Sequence, residues 1–216
     1  MTDFQRPKTA QEAVLQEIRL RMLDGRLQPG QAIRPDAIGS ELGVSAVPVR
    51  EALRILEGEG HVHNRPHKGY VITELDFDDL NEIYRIRGLL ENEAVRQAIP
   101  KLPAETVSTL RSIVGQMGEV GDDVTGLTAI NRRFHFTLFE AAEMPHLLRI
   151  LRTLWDSSDR YRTRYLMAPE HRELVHEQHR RIMDAIADGD TDRVIREKAL
   201  HRDHAITALG TESARL

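Results

Sequence analysis

Residues 45–60 read SAVPVREALRILEGEG, and this stretch decides the fold of the first third of the chain. Three apolar residues recur there at the spacing of one helical face: Val49, Leu53 and Leu56. The spacing predicts a helix over Val47–Glu57 that ends at Gly58. Pro48 falls in the first turn of this helix, where its missing N–H costs nothing.

The segments on either side complete a familiar layout. A helix from the capping residue Thr9 to about Asp24 and a short helix over Asp36–Leu42 precede the central helix. Two short strands follow it, His61–Asn64 and Gly69–Thr73, joined by a turn. Helix, short helix, turn, helix and a two-stranded wing are typical of a winged helix-turn-helix that binds DNA.

In such a module the second helix of the pair enters the major groove with its first residues facing the bases. The candidate contacts in and before this helix are Arg34, Ser45, Ala46, Val47, Val49 and Arg50. The candidate contacts in the wing are His67, Lys68 and Gly69. Each feature alone is as well explained by a solvated face or an ordinary turn, but their order and spacing favour DNA binding. Arg50 can reach a phosphate or the edge of a guanine.

Composition sets the limits on other classes of function. The net charge is −4, and residues 1–74 carry 10 basic and 10 acidic side chains, so bulk charge does not indicate nucleic-acid binding. The chain has no cysteine, which excludes disulfides, thiolate metal sites and cysteine nucleophiles. No segment resembles a signal peptide or a membrane span, and we expect a cytoplasmic protein that does not contact membranes.

After Glu74 the turn residues thin out and helical patterns dominate, which places a domain boundary near Glu74–Asp76. We expect a DNA-binding domain at 1–74 and a second domain at 75–216. The first helix of the second domain starts from Asp76 as its cap. Further helices are predicted over Ala104–Met117, Val124–Ala142, Pro145–Met167, Pro169–Ala187 and Thr191–Leu209. About six helices without a strand pattern predict a mainly α chain whose second domain is an all-α antiparallel bundle.

Histidines on three of these helices could share one site. Asn131 and His135 are one helical turn apart, and His179 and His201 lie on the last two helices. Three imidazoles from three helices can hold one divalent ion. A histidine on an amphipathic helix is more often exposed or hydrogen-bonded, and spacing alone favours that explanation.

The first part of the chain resembles the GntR family of winged-helix regulators. The resemblance rests on Pro29-Gly30, on residues 42–45 (LGVS), on residues 48–60 (PVREALRILEGEG) and on Gly69. The family usually has Arg-Thr between the serine and the proline, where this chain has Ala46-Val47. This departure removes a cation and a hydroxyl from the end that faces the groove, and it suggests apolar contact with a thymine methyl. A second departure is Pro35, where the family has an acidic residue.

The second part resembles the FCD ligand-binding domain that follows the winged helix in the FadR-like subfamily. The matching stretches are residues 87–91 (RGLLE), residues 131–135 (NRRFH), His179 through Ala185, Gly189-Asp190 and His201. The resemblance implies a divalent metal, zinc or nickel-like, bound by Asn131, His135, His179 and His201. The family usually has aspartate at the position of Asn131, so the implied site lacks one negative charge and should bind metal more weakly. His176 and His204 are each three residues from an implied ligand, and they are candidates either for supporting the ligands from outside or for replacing them.

The resemblance also implies a function. Proteins of this kind are homodimeric repressors that bind an inverted-repeat operator and respond to a small effector, typically a carboxylate, and the resemblance implies the same for this chain. Arg87 is a candidate for holding the effector, although it is also placed to pair with Glu91 one turn away. Further candidates for lining the effector cavity are Tyr84, Arg132, Trp155 and Tyr161. Two alternatives stay open: a bundle without metal that serves dimerisation or binds a ligand directly, and a metal-dependent hydrolase.

Overall fold

A computed structural model describes residues 9–65, 69–74 and 76–213. The chain divides into two compact units, Met1–Leu75 and Asp76–Leu216. None of the helices in the described ranges is long and apolar enough to cross a membrane.

The first unit is a winged helix-turn-helix with a three-stranded sheet. Its elements are α1 (Ala10–Leu23), β1 (Ala32–Ile33), α2 (Pro35–Leu42), α3 (Ala46–Gly58), β2 (Val62–Arg65) and β3 (Gly69–Ile72). The strands are antiparallel in the order β1-β3-β2. Strand β1, which pairs Ala32 with Val71, was not predicted because two residues are too few to show an alternating pattern.

Local sequence fixes the ends of these helices. Thr9 and Glu12 form a reciprocal capping box at the start of α1. The turn between α2 and α3 begins at Gly43, whose φ of +67° is a left-handed conformation that favours glycine. Gly39 allows the chain to fold back closely, since a Cβ there would lie 2.8 Å from the backbone oxygen of Val44. The two glycines therefore allow the close turn between α2 and α3.

The core of the first unit forms where α3 packs against α1 and α2. Its fully buried members on α3 are Val49, Ala52, Leu53 and Leu56. Val14 and Ile18 of α1 are buried against the same cluster. One face of α3 is thus fixed in the core, and its opposite face is exposed to solvent.

The second unit is all-helical. Its elements are α4 (Phe77–Ala98), a 3₁₀ turn (Ile99–Lys101), α5 (Ala104–Glu119), α6 (Val124–Glu140), α7 (Pro145–Ser157), α8 (Asp159–Leu166), α9 (Pro169–Ala187) and α10 (Thr191–Ser213). Asp76 caps α4 by accepting from the backbone N–H of Asp78, as predicted. Helix α4 packs against α6, α7 and α10, and α9 packs against α5 and α10. The core of the second unit is a single apolar cluster whose residues come from the helices α4 to α10.

The single helix predicted over Pro145–Met167 is wrong, because the chain breaks at Ser158 into α7 and α8. The buried Ser158 hydroxyl donates to the carbonyl of Trp155 and accepts from Nη1 of Arg87. Serine hydroxyls compete with helical backbone hydrogen bonds in this way, and the arginine is a tertiary partner that local periodicity does not reveal. The break matters because it sets the direction of α8, which lines the interior cavity described below.

Candidate DNA interface and candidate metal centre

The exposed end of α3 carries most of the predicted DNA contacts. Ser45 caps α3 and is exposed, its side chain making no capping hydrogen bond, and Ala46 is half-buried behind it. Val47 is 62% exposed, which places it among the most exposed large apolar side chains of the described residues. Arg50 is also exposed. Its ion pair with Asp36 is weak, because the two groups are 3.8 Å apart and both are exposed. These side chains are free to meet a partner surface.

Two further predicted contacts lie elsewhere in the same unit, and one predicted base contact is wrong. Arg34 is exposed at the start of α2, and Gly69 opens β3 with a φ of +76°. His67 and Lys68 lie outside the described residues. Val49 is completely buried, so its prediction as a base contact is wrong: its side chain belongs to the core face of α3. Arg65, exposed at the end of β2, is the described cation nearest to the wing turn in sequence.

The bundle brings together the three predicted histidines. His135 on α6, His179 on α9 and His201 on α10 place one ligand nitrogen each within 4.8 Å of one another. The Nε2 atoms of His135 and His179 are 3.2 Å apart. His135 and His179 are buried and His201 is half-buried. Convergence of this kind suits a tetrahedral ion bound by imidazole nitrogens.

In two of the rings, Nδ1 makes a hydrogen bond on the side away from the cluster, so that Nε2 faces the other histidines. Nδ1 of His179 donates to the carbonyl of Val175 at 2.7 Å, and Nδ1 of His201 donates to Oε1 of Gln178 at 2.7 Å. An oxygen acceptor at Nδ1 places the proton there, which leaves the Nε2 lone pair available for a metal.

The histidines that could have been alternative ligands have other positions. The amide nitrogen of Gln178 donates to Nδ1 of His204, which fixes the amide so that its oxygen faces His201. His204 is therefore an outer partner of the cluster. His176 lies against Gly118 of α5. Neither belongs to the group of converging ligand atoms.

Electrostatics keep the three rings neutral. Burial lowers the pKa of His179 to about 4, and the nearby Lys198 ammonium acts in the same direction. Burial and Lys198 also lower the pKa of His135 well below its usual value. Burial, with smaller contributions from the neighbouring His179 and Lys198, does the same for the pKa of His201. Neutral imidazole is the form that binds metal, so protons do not compete near pH 7.

Lys198 is an unpredicted member of this site. It is buried, and its Nζ lies 3.0 Å from Nδ1 of His135 and 3.3 Å from Oε2 of Glu91. Burial lowers the pKa of its ammonium to about 8, against the opposing effect of Glu91. A lysine on a polar helix looks solvent-exposed in sequence, so nothing in the pattern could have singled it out.

Beside the histidines is a small cavity of about 30 Å³. Its polar lining comes mainly from Arg87, Asn131, Arg162, Tyr165, His201 and Arg202. Asn131 is buried and faces this cavity together with His201, which places it beside the cluster as predicted from its spacing to His135. Tyr84 also lines the cavity. Nothing in the sequence pattern predicts that Arg162, Tyr165 and Arg202 line this cavity.

The other residues predicted to contact the effector already make hydrogen bonds or ion pairs within the chain. Arg87 donates through Nε and Nη2 to Oε1 of Glu91 at 3.1 and 2.9 Å, so its pairing along the helix is the correct expectation. Arg132 pairs with Asp156 at 2.6 Å and does not line the cavity. Trp155 is core, and its indole N–H donates to Glu91.

Tyr161 is likewise occupied elsewhere. Its hydroxyl donates to Asp79 at 2.6 Å, away from the residues that line the cavity.

Comparison with known proteins identifies the family. The profile described as "Bacterial regulatory proteins, gntR family" matches residues 10–72, and the profile of the FCD domain matches residues 82–204. The chain belongs to the GntR family of transcriptional regulators. This regulator is 31% identical over 166 residues to the "Nta operon transcriptional regulator" of Aminobacter aminovorans, which covers 76% of the chain and 78% of the relative.

Two further similarities agree with this assignment. The regulator is 34% identical over 179 residues to the "Probable D-xylose utilization operon transcriptional repressor" of Paenarthrobacter nicotinovorans, covering 81% of the chain and 77% of the relative. The structure of E. coli McbR/YncC has the same fold, with a TM-score of 0.80 at 23% identity, covering 95% of this chain and 99% of that one. Members of the family bind operator DNA and are not enzymes, and the hydrolase alternative is therefore set aside.

Proposed function

We propose that this regulator is a repressor that binds an inverted-repeat operator as a homodimer and releases it when a small carboxylate binds in the bundle beside a divalent metal. The observation that carries the proposal is the convergence of three histidine ligand atoms next to a cavity lined by arginines. The same chain carries an exposed helix end suited to a DNA groove. A relative described as a probable repressor supports the sign of the regulation.

For DNA binding, we assign base contacts to the first turn of α3. Val47 would pack against a thymine methyl, and Arg50 would bind a guanine edge or a phosphate. Arg34, Ser45, Ala46 and the wing at His67, Lys68 and Gly69 would contribute backbone and neighbouring contacts. Two copies would place their α3 helices in half-sites about one helical turn, roughly 34 Å, apart.

For metal binding, the donor set fits a borderline ion such as zinc or nickel. Nε2 atoms of His135, His179 and His201 would bind it, with the amide oxygen of Asn131 as a weak fourth ligand. A bound ion would supply positive charge and open coordination positions that attract a carboxylate. The hydrogen bonds of His179 and His201 orient those rings with or without the ion.

Lys198 favours a second candidate, a bundle that binds its effector without metal. The outer nitrogen of a metal-bound histidine usually donates to an acceptor, whereas Nδ1 of His135 faces the ammonium of Lys198 at 3.0 Å. A buried cation beside the cluster also disfavours a second cation by Coulomb repulsion. In this candidate the histidines and Lys198 form a polar interior that holds the ligand directly.

Three measurements test these proposals. Genomic DNA fragments retained by the purified protein should share a short inverted repeat, and a lack of enrichment at low salt would contradict operator binding. Untagged protein should carry about one zinc or nickel per chain. The His135→Ala variant should lose it, and the exposed control His146→Ala should keep it. Metal-free wild-type protein that still responds to an effector would favour the second candidate.

A further inference from the structure

The three histidines of the bundle differ in the group that lies behind each ring. Behind His179 is a backbone carbonyl, which only accepts hydrogen bonds. Behind His135 is the ammonium of Lys198, which only donates them. Behind His201 is the side-chain amide of Gln178, whose oxygen lies 2.7 Å from Nδ1 of the ring. An amide carries both an acceptor and a donor, so of these three outer partners it is the one that can act in either way.

The orientation of this amide decides which ring nitrogen of His201 carries the proton. With the amide oxygen toward the ring, Nδ1 donates and is protonated, and Nε2 keeps its lone pair. With the amide rotated by half a turn, its NH₂ group would face the ring, and Nδ1 would have to accept. The proton of a neutral ring would then be on Nε2, where it would prevent that nitrogen from binding a metal.

His204 holds the amide of Gln178 from the other side. It lies three residues after His201 on α10, and its Nδ1 accepts a hydrogen bond from the amide nitrogen. Gln178 is buried, whereas His204 is exposed to solvent. A buried amide is costly when either of its polar groups is unpaired. An accepting ring at His204 therefore favours the orientation that directs the amide oxygen toward His201.

On the basis of the proposed metal site, we propose that His204 is a positioning residue for His201. It acts through the amide of Gln178 and keeps the Nε2 lone pair of His201 directed toward the metal position. His204 does not bind the ion, since its ring nitrogens are not among the converging ligand atoms of the described residues. We call this row of His201, Gln178 and His204 the amide relay, and it connects the buried site to the surface of the bundle.

The first variant, His204→Ala, removes the acceptor at an exposed position that water can fill. Water both donates and accepts, so it leaves the amide of Gln178 without a preferred orientation. Loss of the outer partner of a metal-binding histidine weakens metal binding about 10- to 100-fold. We expect about tenfold, because one ligand of three is affected and its productive orientation stays accessible. Zinc affinity of the full-length protein is measured by competition with a chelator, and the exposed control His146→Ala should leave it unchanged.

Gln178→Glu supplies the background in which the loss should disappear. A carboxylate has two acceptor oxygens and no N–H, so it accepts from Nδ1 of His201 in either orientation. In this background His204→Ala should change zinc affinity by less than about twofold, the deviation expected of uncoupled positions. The added charge is present in both members of the comparison and cancels from their ratio. Equal losses in the two backgrounds, or no loss in either, would overturn the proposal.

A second measurement reads the proton of His201 directly, in protein without metal. Long-range proton–nitrogen correlation spectra of protein with isotope-labelled histidine distinguish a protonated ring nitrogen from an unprotonated one. Wild type and Gln178→Glu should both show His201 with its proton on Nδ1, and His204→Ala should show a mixture of the two tautomers. A merely structural effect of His204→Ala would weaken zinc binding while the tautomer of His201 stays the same, and that result would refute the positioning role.

The outcomes separate this inference from the proposed function. A tautomer of His201 that changes in His204→Ala, in a protein that binds no zinc, would refute the metal site and leave the amide relay standing. Equal zinc affinity in wild type and His204→Ala, with the proton of His201 unmoved, would refute the amide relay and leave the metal site standing.

Discussion

Replacing Glu91 by glutamine should destabilise the bundle more than any comparable surface change. Oε1 of Glu91 accepts from Arg87 and from the indole of Trp155, and Oε2 accepts from Arg202 at 2.8 Å and lies 3.3 Å from Nζ of Lys198. The side chain is 1% exposed. Three cations therefore depend on one buried carboxylate, and Glu91→Gln removes its charge while keeping its shape.

The structure sets the expected size of the effect. Breaking a buried ion pair by removing one partner costs about 3–5 kcal/mol. Lys198 limits this cost, since burial already lowers its pKa to about 8 and it can lose its proton once Glu91 is neutral. We therefore expect a loss of about 3 kcal/mol at pH 7, the lower end of that range.

Urea unfolding followed by Trp155 fluorescence measures this loss in the bundle specifically, because the chain has one tryptophan and it lies on α7. The matched control is Glu93→Gln on the same helix, whose partner Arg96 is 3.8 Å away and whose side chain is 41% exposed. It should cost less than about 1 kcal/mol. If Glu91→Gln unfolds at the same urea concentration as Glu93→Gln, the buried cations do not depend on Glu91 and the reasoning fails.

Three further predictions concern the two candidate sites. Arg50→Ala should weaken operator binding by about 1–3 kcal/mol if the side chain binds a base, or lower the salt slope by about one if it binds phosphate, whereas the bundle control Arg111→Ala should change neither. Asn131→Asp should tighten metal binding in competition with a chelator at least about tenfold, because it restores a carboxylate, and unchanged affinity would exclude this position as a ligand. In metal-free protein the folded pKa of His179 is about 4 against 6.5 in the unfolded chain. The unfolded state then binds more protons below pH 6.5, so the free energy of unfolding is highest above pH 6.5 and falls by about 3 kcal/mol as the pH drops to 4. If the His179→Gln variant loses as much stability over this pH range as wild type, His179 is not the cause.

Sequence predicts the winged helix-turn-helix well because its signals are local. The capping box at Thr9 and the glycine at Gly43 act within a few residues, and the observed bounds of α1 and α3 differ from the predicted ones by a residue or so. The break at Ser158 was missed because the serine is fixed by Arg87, a residue distant in sequence. Local periodicity cannot contain such a contact.

The candidate sites show the same contrast between features that the sequence reveals and features that only the tertiary structure reveals. His135, His179 and His201 could be singled out because histidine is an uncommon residue with a specific chemistry, and the resemblance supplied their grouping. Arg162 and Lys198 could not, because a buried cation has the same sequence appearance as a solvated one. Their importance arises from burial and from missing or shared partners, which only the tertiary structure shows.

The most direct test of regulation by an effector is the affinity of the full-length protein for its selected operator, measured by fluorescence anisotropy with and without a saturating short carboxylate. Saturation of the bundle is checked in the same samples by Trp155 fluorescence. We expect operator affinity to fall at least tenfold, about 1.4 kcal/mol, when the carboxylate is bound. A carboxylate that saturates the bundle while operator affinity stays the same would contradict it.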